Sequence, residues 1–547
     1  MNKLVLMFLL CTLIVTVGES SNVEPLSHPA DNVTKVFKPA YGDTLVEGII
    51  GEPSVLISML AGDSASHAVS SLIFNGLVKY APDLQLTGDL AESWDVSPDG
   101  LVITFHLRKG VRWTDGVEFT ANDVMFGYKT IIDEKTPTAY KEDFLQVKKA
   151  EVLDKYTFRV TYEKPFAPAL SSWGALVVLP EHLLKDKDIM KEPFGRAPVG
   201  MGPYKLDKWI AGERVELQSN HDYFEGRPYI DRHVFRIIPD SATMFLEVKT
   251  GSIDFMGLTP IQYKRQTDTA LFKEKFQKFR YPAFNYTFMG FNLKHPFFKD
   301  KRVRQAIAHA IDKSEIVDAV LFGLGATSTG PYVPNTWPYN PNVKKYDFNP
   351  IKARSLLKEA GWVDVDSDGV LKKDGNRFEF TIITNMGNSL RTKTATIIQY
   401  RLKQIGIKVH IRALEWSTFI NEFVDKKRFE AVVLGWSIGL DADQYDIWHS
   451  SKTKEKEFNF ISYNNPEVDA LLEDGRRTFD IEKRKQAYHR IHEILAEDLP
   501  YVFLYVPDSL VVVSSRIKGI VPTTIGIGYN QPKWFVPAEL QKNTLQR

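Results

Sequence analysis

The chain has 547 residues, and its 69 Lys and Arg residues nearly balance its 68 Asp and Glu residues, for a formal net charge of +1. At about 100–200 residues per domain, this length predicts several domains. Its 44% hydrophobic and 25% charged residues are typical of a globular protein and argue against a disordered chain, a collagen-like repeat or a multi-spanning membrane protein. The balanced charge also argues against a nucleic-acid partner.

Residues 1–20 have the pattern of a secretory signal peptide. Lys3 precedes an apolar run from Leu4 to Val17, and small residues follow it; the run is shorter than the ~20 residues of a membrane span. Cys11, the single cysteine of the chain, lies in this segment after bulky residues, which disfavours a lipid anchor. We therefore predict an exported protein, periplasmic or at the cell surface, with residues 21–38 as a short leader and no disulfide.

From residue 43 onward, strand-like and helix-like segments alternate, which predicts α/β layers. Thr120 with Asp123, Asp300, and Asp312 with Glu315 have the spacing of helix N-caps. The predicted strands are 45–50, 103–107, 378–384 and 429–434, and the predicted helices are 65–77, 121–131, 303–311, 314–322 and 481–496. Four prolines between residues 331 and 341 predict an extended loop.

The segment from Asp364 to Gly369 copies the first half of a calcium-binding loop. The twelfth position of that loop is Gly375, where the pattern requires a bidentate glutamate. Strand-like residues flank the segment, so we predict the turn of a β-hairpin. Calcium binding between Asp364 and Asp368 stays open as the alternative.

One catalytic pattern is a G-x-S-x-G sequence from Gly435 to Gly439, which follows a predicted strand. A nucleophile elbow needs a helix directly after the serine, and residues 440–445 are a poor helix start, so Ser437 is a weak candidate nucleophile. His492-Glu493 opens a zinc-protease motif, but no second histidine follows at the required spacing. We interpret that pair as the solvated face of the helix 481–496, and we predict no catalytic residue, no metal site and no cofactor.

Several separated motifs resemble the family 5 extracellular solute-binding proteins, the oligopeptide- and dipeptide-binding receptors of ABC importers. The signature segment is LAESWDVSPDG at 90–100 followed by TFHLRKGVRWTDG at 104–116, and further matches are VGMGPY at 199–204, VRQAIAHAID at 303–312 and NNPEVD at 464–469. The resemblance implies an α/β fold built as a large two-lobed periplasmic-binding-protein clamshell of type II, with an inserted subdomain. Such a clamshell closes around its ligand and catalyses no reaction.

The resemblance also implies where the chain crosses between lobes. Lobe I is expected at 39–285 and again at 510–547, with the inserted subdomain at about 66–196, and lobe II at 286–509. Within the signature segment, Trp94, Phe105 and Trp113 are expected to be core residues rather than ligand contacts.

The resemblance further implies a set of residues that line the interlobe cleft. They are Glu52, Tyr140, Asn385, Trp416, Trp436, Gly439 and Asp441. Peptide receptors of this family carry an aspartate three residues after the tryptophan that corresponds to Trp436, and it pairs with the ligand's α-ammonium. Here that position is Gly439, so we predict that Asp441, two residues further, takes over the contact.

The function predicted from these features is a monomeric receptor that captures a short peptide and delivers it to an ABC permease complex in the inner membrane. The missing aspartate at Gly439 keeps a different solute, an oligosaccharide or a nickel complex, as an alternative. From another class of protein, a secreted serine hydrolase that uses Ser437 is the second alternative.

Overall fold

The computed structural model describes residues 37–523 and 526–542, so the predictions of a signal peptide and of most of the leader lie outside the described residues. The strands are β1 Thr44–Ile49, β2 Val78–Tyr80, β3 Leu86–Gly88, β4 Ala91–Val96, β5 Val102–Leu107, β6 Val147–Asp154, β7 Thr157–Tyr162, β8 Tyr204–Ile210, β9 Arg214–Ser219, β10 Arg232–Ile237, β11 Phe255–Gly257, β12 Phe276–Pro282, β13 Asn285–Phe291, β14 Gly325–Thr327, β15 Asp364–Val365, β16 Leu371–Lys373, β17 Asn376–Arg377, β18 Glu379–Asn385, β19 Lys408–Leu414, β20 Ala431–Ser437 and β21 Tyr501–Ser514.

The helices are distributed between these strands along the whole described chain. They are α1 Ser64–Ser70, α2 Ala121–Ile132, α3 Glu142–Leu145, α4 Ala169–Ala175, α5 Glu181–Leu184, α6 Ser241–Thr250, α7 Ala270–Lys275, α8 Lys301–Ala310, α9 Lys313–Leu321, α10 Pro350–Glu359, α11 Ser389–Lys403, α12 Trp416–Thr418, α13 Tyr445–Trp448, α14 Pro466–Arg476 and α15 Ile481–Asp498. In the part of the chain that the structure describes, no helix is both long enough and apolar enough to cross a membrane.

A large mixed sheet organises the molecule. Its strand order is β19-β18-β20-β13-β21-β11-β1-β10-β9-β8, and β12 and β14 also pair with β21. A separate four-stranded antiparallel sheet, β4-β5-β7-β6, lies within the predicted inserted subdomain. Strands and helices therefore form the predicted α/β layers.

The long strand β21 connects two groups of core residues. Its sequence is almost continuously apolar, as expected for a central strand covered on both faces. Val502 and Leu504 pack into a core drawn from residues between 289 and 505. Leu510 and Val512 pack into a different core with Ile253. The core residues that contact β21 thus differ between its two halves, although the described residues from Pro39 onward form a single compact unit.

The helix N-caps predicted from local sequence are present. Thr120 and Asp123 form a reciprocal capping box at the start of α2, while Asp300 and Asp312 accept hydrogen bonds from the first turns of α8 and α9. The predicted core positions Phe105 and Trp113 are fully buried, and Trp94 is partly buried against the same core.

The prediction of a helix over residues 65–77 is wrong in its second half, because α1 ends at Ser70. The backbone carbonyls of Leu72 and Ile73 accept hydrogen bonds from Tyr204 and Gly202 at 2.9 and 2.8 Å. These long-range bonds replace the helical ones, and they divert the chain toward β2.

The interpretation of His492 as a solvated helix residue is also wrong. His492 is 0% exposed, and its Nδ1 accepts a hydrogen bond from the backbone N–H of Asn340 at 3.1 Å. Burial lowers the pKa of His492 to about 4. The residue is therefore a neutral core histidine that holds the proline-rich loop against α15.

The buried histidine predicts how stability depends on pH. Between about pH 6.5 and 4 the unfolded chain takes up a proton at His492 that the folded protein does not accept, so the free energy of unfolding falls as the pH is lowered through this window. The loss is of the order of 3 kcal/mol, since one pKa unit corresponds to about 1.4 kcal/mol. Denaturant titrations at pH 7 and pH 4.5 should show a smaller loss in His492→Gln than in the wild type. The exposed His221→Gln serves as the control, and an undiminished loss in His492→Gln would contradict the assignment.

Candidate functional site

Trp436 lies near the end of β20, where this strand pairs with β13. Its indole Nε1 donates a hydrogen bond to the Tyr501 hydroxyl at 3.3 Å. Its ring packs at 5.2 Å from the ring of Phe458 and at 5.7 Å from that of Phe460. Trp436 is only partly buried, so its remaining surface is available for stacking on a ligand.

Tyr140 reaches the same aromatic group from the predicted inserted subdomain. Its ring meets Phe458 edge-on at 5.3 Å, and its hydroxyl donates to the carbonyl of Ala61 at 3.1 Å. The ring of His67 lies beside it, with Nε2 at 3.1 Å from the same hydroxyl. Burial raises the pKa of Tyr140 and lowers that of His67, so both are neutral at pH 7. Phe458 thus joins two predicted cleft residues that lie almost 300 positions apart in the sequence.

The predicted cleft residue Trp416 lies against Gly51, the residue before Glu52. A Cβ at Gly51 would lie 3.1 Å from Cδ1 of Trp416. The carboxylate of Glu52 accepts hydrogen bonds from the Trp209 indole and from the backbone N–H of Gly212, both at 3.0 Å. The Glu52 carboxylate is therefore held by Trp209 and Gly212, and its chain neighbour Gly51 is the residue that lies against Trp416.

Asn385 orients an arginine that sequence reasoning did not single out. Asn385 is buried at the end of β18, and its Oδ1 accepts a hydrogen bond from Nη1 of Arg391 at 2.8 Å. Among the described residues, no carboxylate pairs with Arg391, and burial lowers its pKa to about 10. Because even this lowered pKa lies well above 7, Arg391 is a cation with room for an anionic partner.

A cavity of about 190 Å³ lies next to this guanidinium. Its lining includes Arg391, Trp436, Ser437, Asn285 and Tyr505. The cavity sits where β13 and β21 pair. A sequence signal for Arg391 did exist, because it occupies the third position of α11, where a cation opposes the helix dipole.

Asp441, the predicted partner of the ligand's ammonium group, already binds other groups through one of its two carboxylate oxygens. Oδ1 of Asp441 accepts hydrogen bonds from Nη2 of Arg484 at 2.7 Å and from the backbone N–H of Asp443 at 2.9 Å. Both contacts use the same oxygen, which leaves Oδ2 for another donor. Gly439 is exposed, and a Cβ there would meet no atom within 4 Å. The role of Asp441 stays a prediction.

Ser437 ends β20 and is exposed. The next helix, α13, begins only at Tyr445. The strand therefore does not run straight into a helix, as a nucleophile elbow requires.

The acidic segment after residue 364 forms the turn of a β-hairpin, as predicted. Strands β15 and β16 pair antiparallel on either side of it. Oδ1 of Asp366 accepts from the backbone N–H groups of Asp368 and Val370 at 2.9 Å, and Arg377 forms ion pairs with both Asp366 and Asp368. Across the described ranges, no three His, Cys, Asp or Glu side chains gather in a way that could hold a metal ion.

Comparison with known proteins defines the class. The model of the family described as bacterial extracellular solute-binding proteins, family 5 Middle, matches residues 85–458. The chain therefore belongs to the family 5 extracellular solute-binding proteins, and the predicted two-lobed α/β fold class is confirmed. The members that it resembles are substrate-binding proteins rather than enzymes.

Individual relatives cover nearly the whole chain. The oligopeptide-binding protein AppA of Bacillus subtilis (strain 168) is 35% identical over 513 residues, which are 91% of this chain and 92% of AppA. A structure of B. subtilis AppA in complex with a nonapeptide has a TM-score of 0.86 at 34% identity and covers 91% of this chain and 100% of that one. The protein DppA from Helicobacter pylori, in complex with peptide STSA, gives 0.83 at 30% identity, with 91% and 99% covered. NikZ from Campylobacter jejuni, in complex with Ni(L-His), gives 0.82 at 30% identity, with 90% and 99% covered.

Proposed function

We propose that the protein captures short peptides in a cleft between two lobes and delivers them to the permease of an ABC importer. The observation that carries this proposal is an aromatic wall, Tyr140, Phe458 and Trp436, next to the Arg391 guanidinium, which has no carboxylate partner among the residues that the structure describes. Aromatic faces suit peptide side chains of varied shape, and Arg391 is placed to bind a carboxylate of the ligand. Relatives that bind peptides support the same ligand class.

The lobe boundaries belong to this proposal. Lobe I is residues 39–285 and 510–547, including the subdomain at 66–196, and lobe II is residues 286–509. The change of core partners along β21 supports these limits. The short connection from β12 to β13 also supports these limits. Both strands pair with β21, so the chain crosses between the proposed lobes at two neighbouring places. Two adjacent crossing segments would allow the lobes to move about a hinge.

Export is the second part of the proposal. A family of extracellular binding proteins that serve importers works outside the cytoplasm, which agrees with the predicted signal peptide. We place the protein in the periplasm or at the cell surface as a monomer. Its permease partner would receive the closed, loaded form.

Thermal melts with a set of peptides test the ligand class. A ligand that binds only the native state stabilises it by about 2.7 kcal/mol at a hundredfold excess over Kd. We expect a raised melting temperature together with a smaller radius of gyration, because the ligand selects the closed state. The same two changes with an oligosaccharide or a nickel–histidine complex, and with no peptide, would contradict the proposal.

Asp441 is expected to contact the α-ammonium group of the ligand through its free Oδ2 oxygen. Asp441→Asn should then weaken binding of free peptides by about 2 kcal/mol or more relative to N-acetylated ones, because the ammonium group loses its charged partner. Calorimetry with matched free and acetylated peptides measures the difference. Trp416→Ala is the control and should weaken both alike through lost packing. Equal losses in Asp441→Asn would mean that Asp441 serves only to hold Arg484.

A further inference from the structure

Two acidic residues of the short helix α3 form ion pairs with residues of proposed lobe II. Oε2 of Glu142 lies 2.8 Å from Nζ of Lys452, and Asp143 forms an ion pair with the guanidinium of Arg476. The side chains of Lys452 and Arg476 are only 4% and 5% exposed. These four residues are called the latch below.

Arg476 is held by the inserted subdomain through two more contacts. Its guanidinium carbon lies 5.1 Å from the ring centroid of Phe166, and its backbone carbonyl accepts a hydrogen bond from the N–H of Ala167 at 2.7 Å. Burial lowers the pKa of Arg476 to about 10. The contact across the lobes is therefore a desolvated one, in which charge pairs interact more strongly than on an open surface.

Each cation of the latch also has an acidic partner within its own lobe. Nε of Arg476 donates to Asp443 at 2.8 Å, and Nζ of Lys452 lies 3.8 Å from Asp446. When the lobes separate, both cations keep these partners. A buried cation left without any partner would be strongly destabilising. Because each cation has a second carboxylate in its own lobe, it can separate from Glu142 or Asp143 without being left unpaired.

The latch is joined to one predicted ligand contact, because Asp443 bonds Arg476 and donates its backbone N–H to Oδ1 of Asp441. None of its residues belongs to the predicted cleft set, and the neighbouring cavity of about 270 Å³ is lined mainly by charged residues, including Glu142, Glu163, Glu473 and Arg476. The aromatic wall ends at Tyr140, two residues before Glu142. Glu142 and Arg476 thus line a different cavity from the one beside Arg391 and Trp436.

We propose that Glu142, Asp143, Lys452 and Arg476 act as positioning residues that set the balance between open and closed forms, and thereby ligand affinity, without touching the ligand. The inference rests on the proposed function, because it requires two lobes that separate. The apparent Kd equals the intrinsic Kd divided by the fraction of molecules in the binding-competent form. Weakening the latch should thus weaken binding of every ligand by the same factor.

The double variant Glu142→Gln/Asp143→Asn tests the latch while keeping the size of both side chains. Spin labels at Lys129→Cys in lobe I and Lys358→Cys in lobe II, both exposed, report the distance between the lobes. Without peptide, we expect the double variant to shift toward the longer distances of the open form. Peptide Kd should rise about tenfold, equally for free, acetylated and amidated peptides. Saturating peptide should restore the closed distance.

Glu118→Gln is the matched control, because Glu118 pairs with Lys155 inside the subdomain at 2.8 Å on an exposed surface. It should change neither distance nor affinity. Unchanged distances and unchanged Kd in the double variant, with an unaltered melting temperature, would overturn the latch and leave the receptor function intact. If no peptide bound even the wild type, the proposed function would fail, whereas a shift in the ligand-free distances would still support the latch.

Discussion

Arg391→Met is expected to weaken binding of peptides that carry a free C-terminal carboxylate by roughly 2–5 kcal/mol, which is about thirtyfold or more. The reason is the environment of the guanidinium. Burial lowers its pKa, one hydrogen bond to Asn385 orients it, and the adjacent cavity is large enough for a small anionic group. A ligand carboxylate that is desolvated there without Arg391 would have no charged partner.

Calorimetry with free and C-amidated versions of the same peptide measures this effect. The amidated peptide should bind the variant and the wild type with similar affinity, because it has no C-terminal carboxylate for Arg391 to pair with. Arg354→Met, at an exposed position on α10, is the control and should bind both peptides normally. An equal loss for the free and the amidated peptide would show that Arg391 supports the fold and does not bind the ligand.

Gly51→Leu is expected to weaken binding of all peptides by about tenfold or more by obstructing closure. A Cβ at Gly51 would already lie 3.1 Å from Trp416 of proposed lobe II, so a larger side chain must displace the indole or hold the lobes apart. The backbone of Gly51 is outside the left-handed region, and leucine therefore adds bulk without backbone strain.

Small-angle scattering and calorimetry together test whether the leucine side chain holds the lobes apart. The variant should have a larger radius of gyration with peptide than the wild type, and its thermal shift should be smaller. Gly257→Leu is the control, since a Cβ at Gly257 would meet no atom within 4 Å. Wild-type affinity and full compaction in Gly51→Leu would mean that the lobes do not close between Gly51 and Trp416.

Features set by neighbouring residues could be predicted from the sequence. The capping residues Thr120, Asp300 and Asp312 bond to backbone groups two or three positions away, so spacing alone reveals them. The end of α1 could not be predicted in the same way. It depends on hydrogen bonds from residues more than 125 positions later in the chain, and the burial of His492 likewise depends on a distant loop.

In the candidate site, too, some residues could be predicted from the sequence, whereas their contacts with distant residues could not. Tyr140 and Trp436 were predicted as cleft residues from the resemblance to the family, yet only the fold shows that Phe458 lies between their rings. The ion pair of Asp441 with Arg484 spans 43 positions, and that of Glu142 with Lys452 spans 310. No local pattern encodes such pairs, so the engagement of Asp441 and the latch required the three-dimensional structure.

Native mass spectrometry of the mature protein with defined peptides tests the central claim most directly. The claim is that one peptide binds per monomer, without a covalent bond and without cleavage. We expect a single adduct whose mass equals that of the intact peptide, and activation in the gas phase should release the peptide unchanged. Cleaved peptide, a covalent adduct at Ser437, or no adduct with any peptide while a sugar or a nickel complex binds would contradict the account.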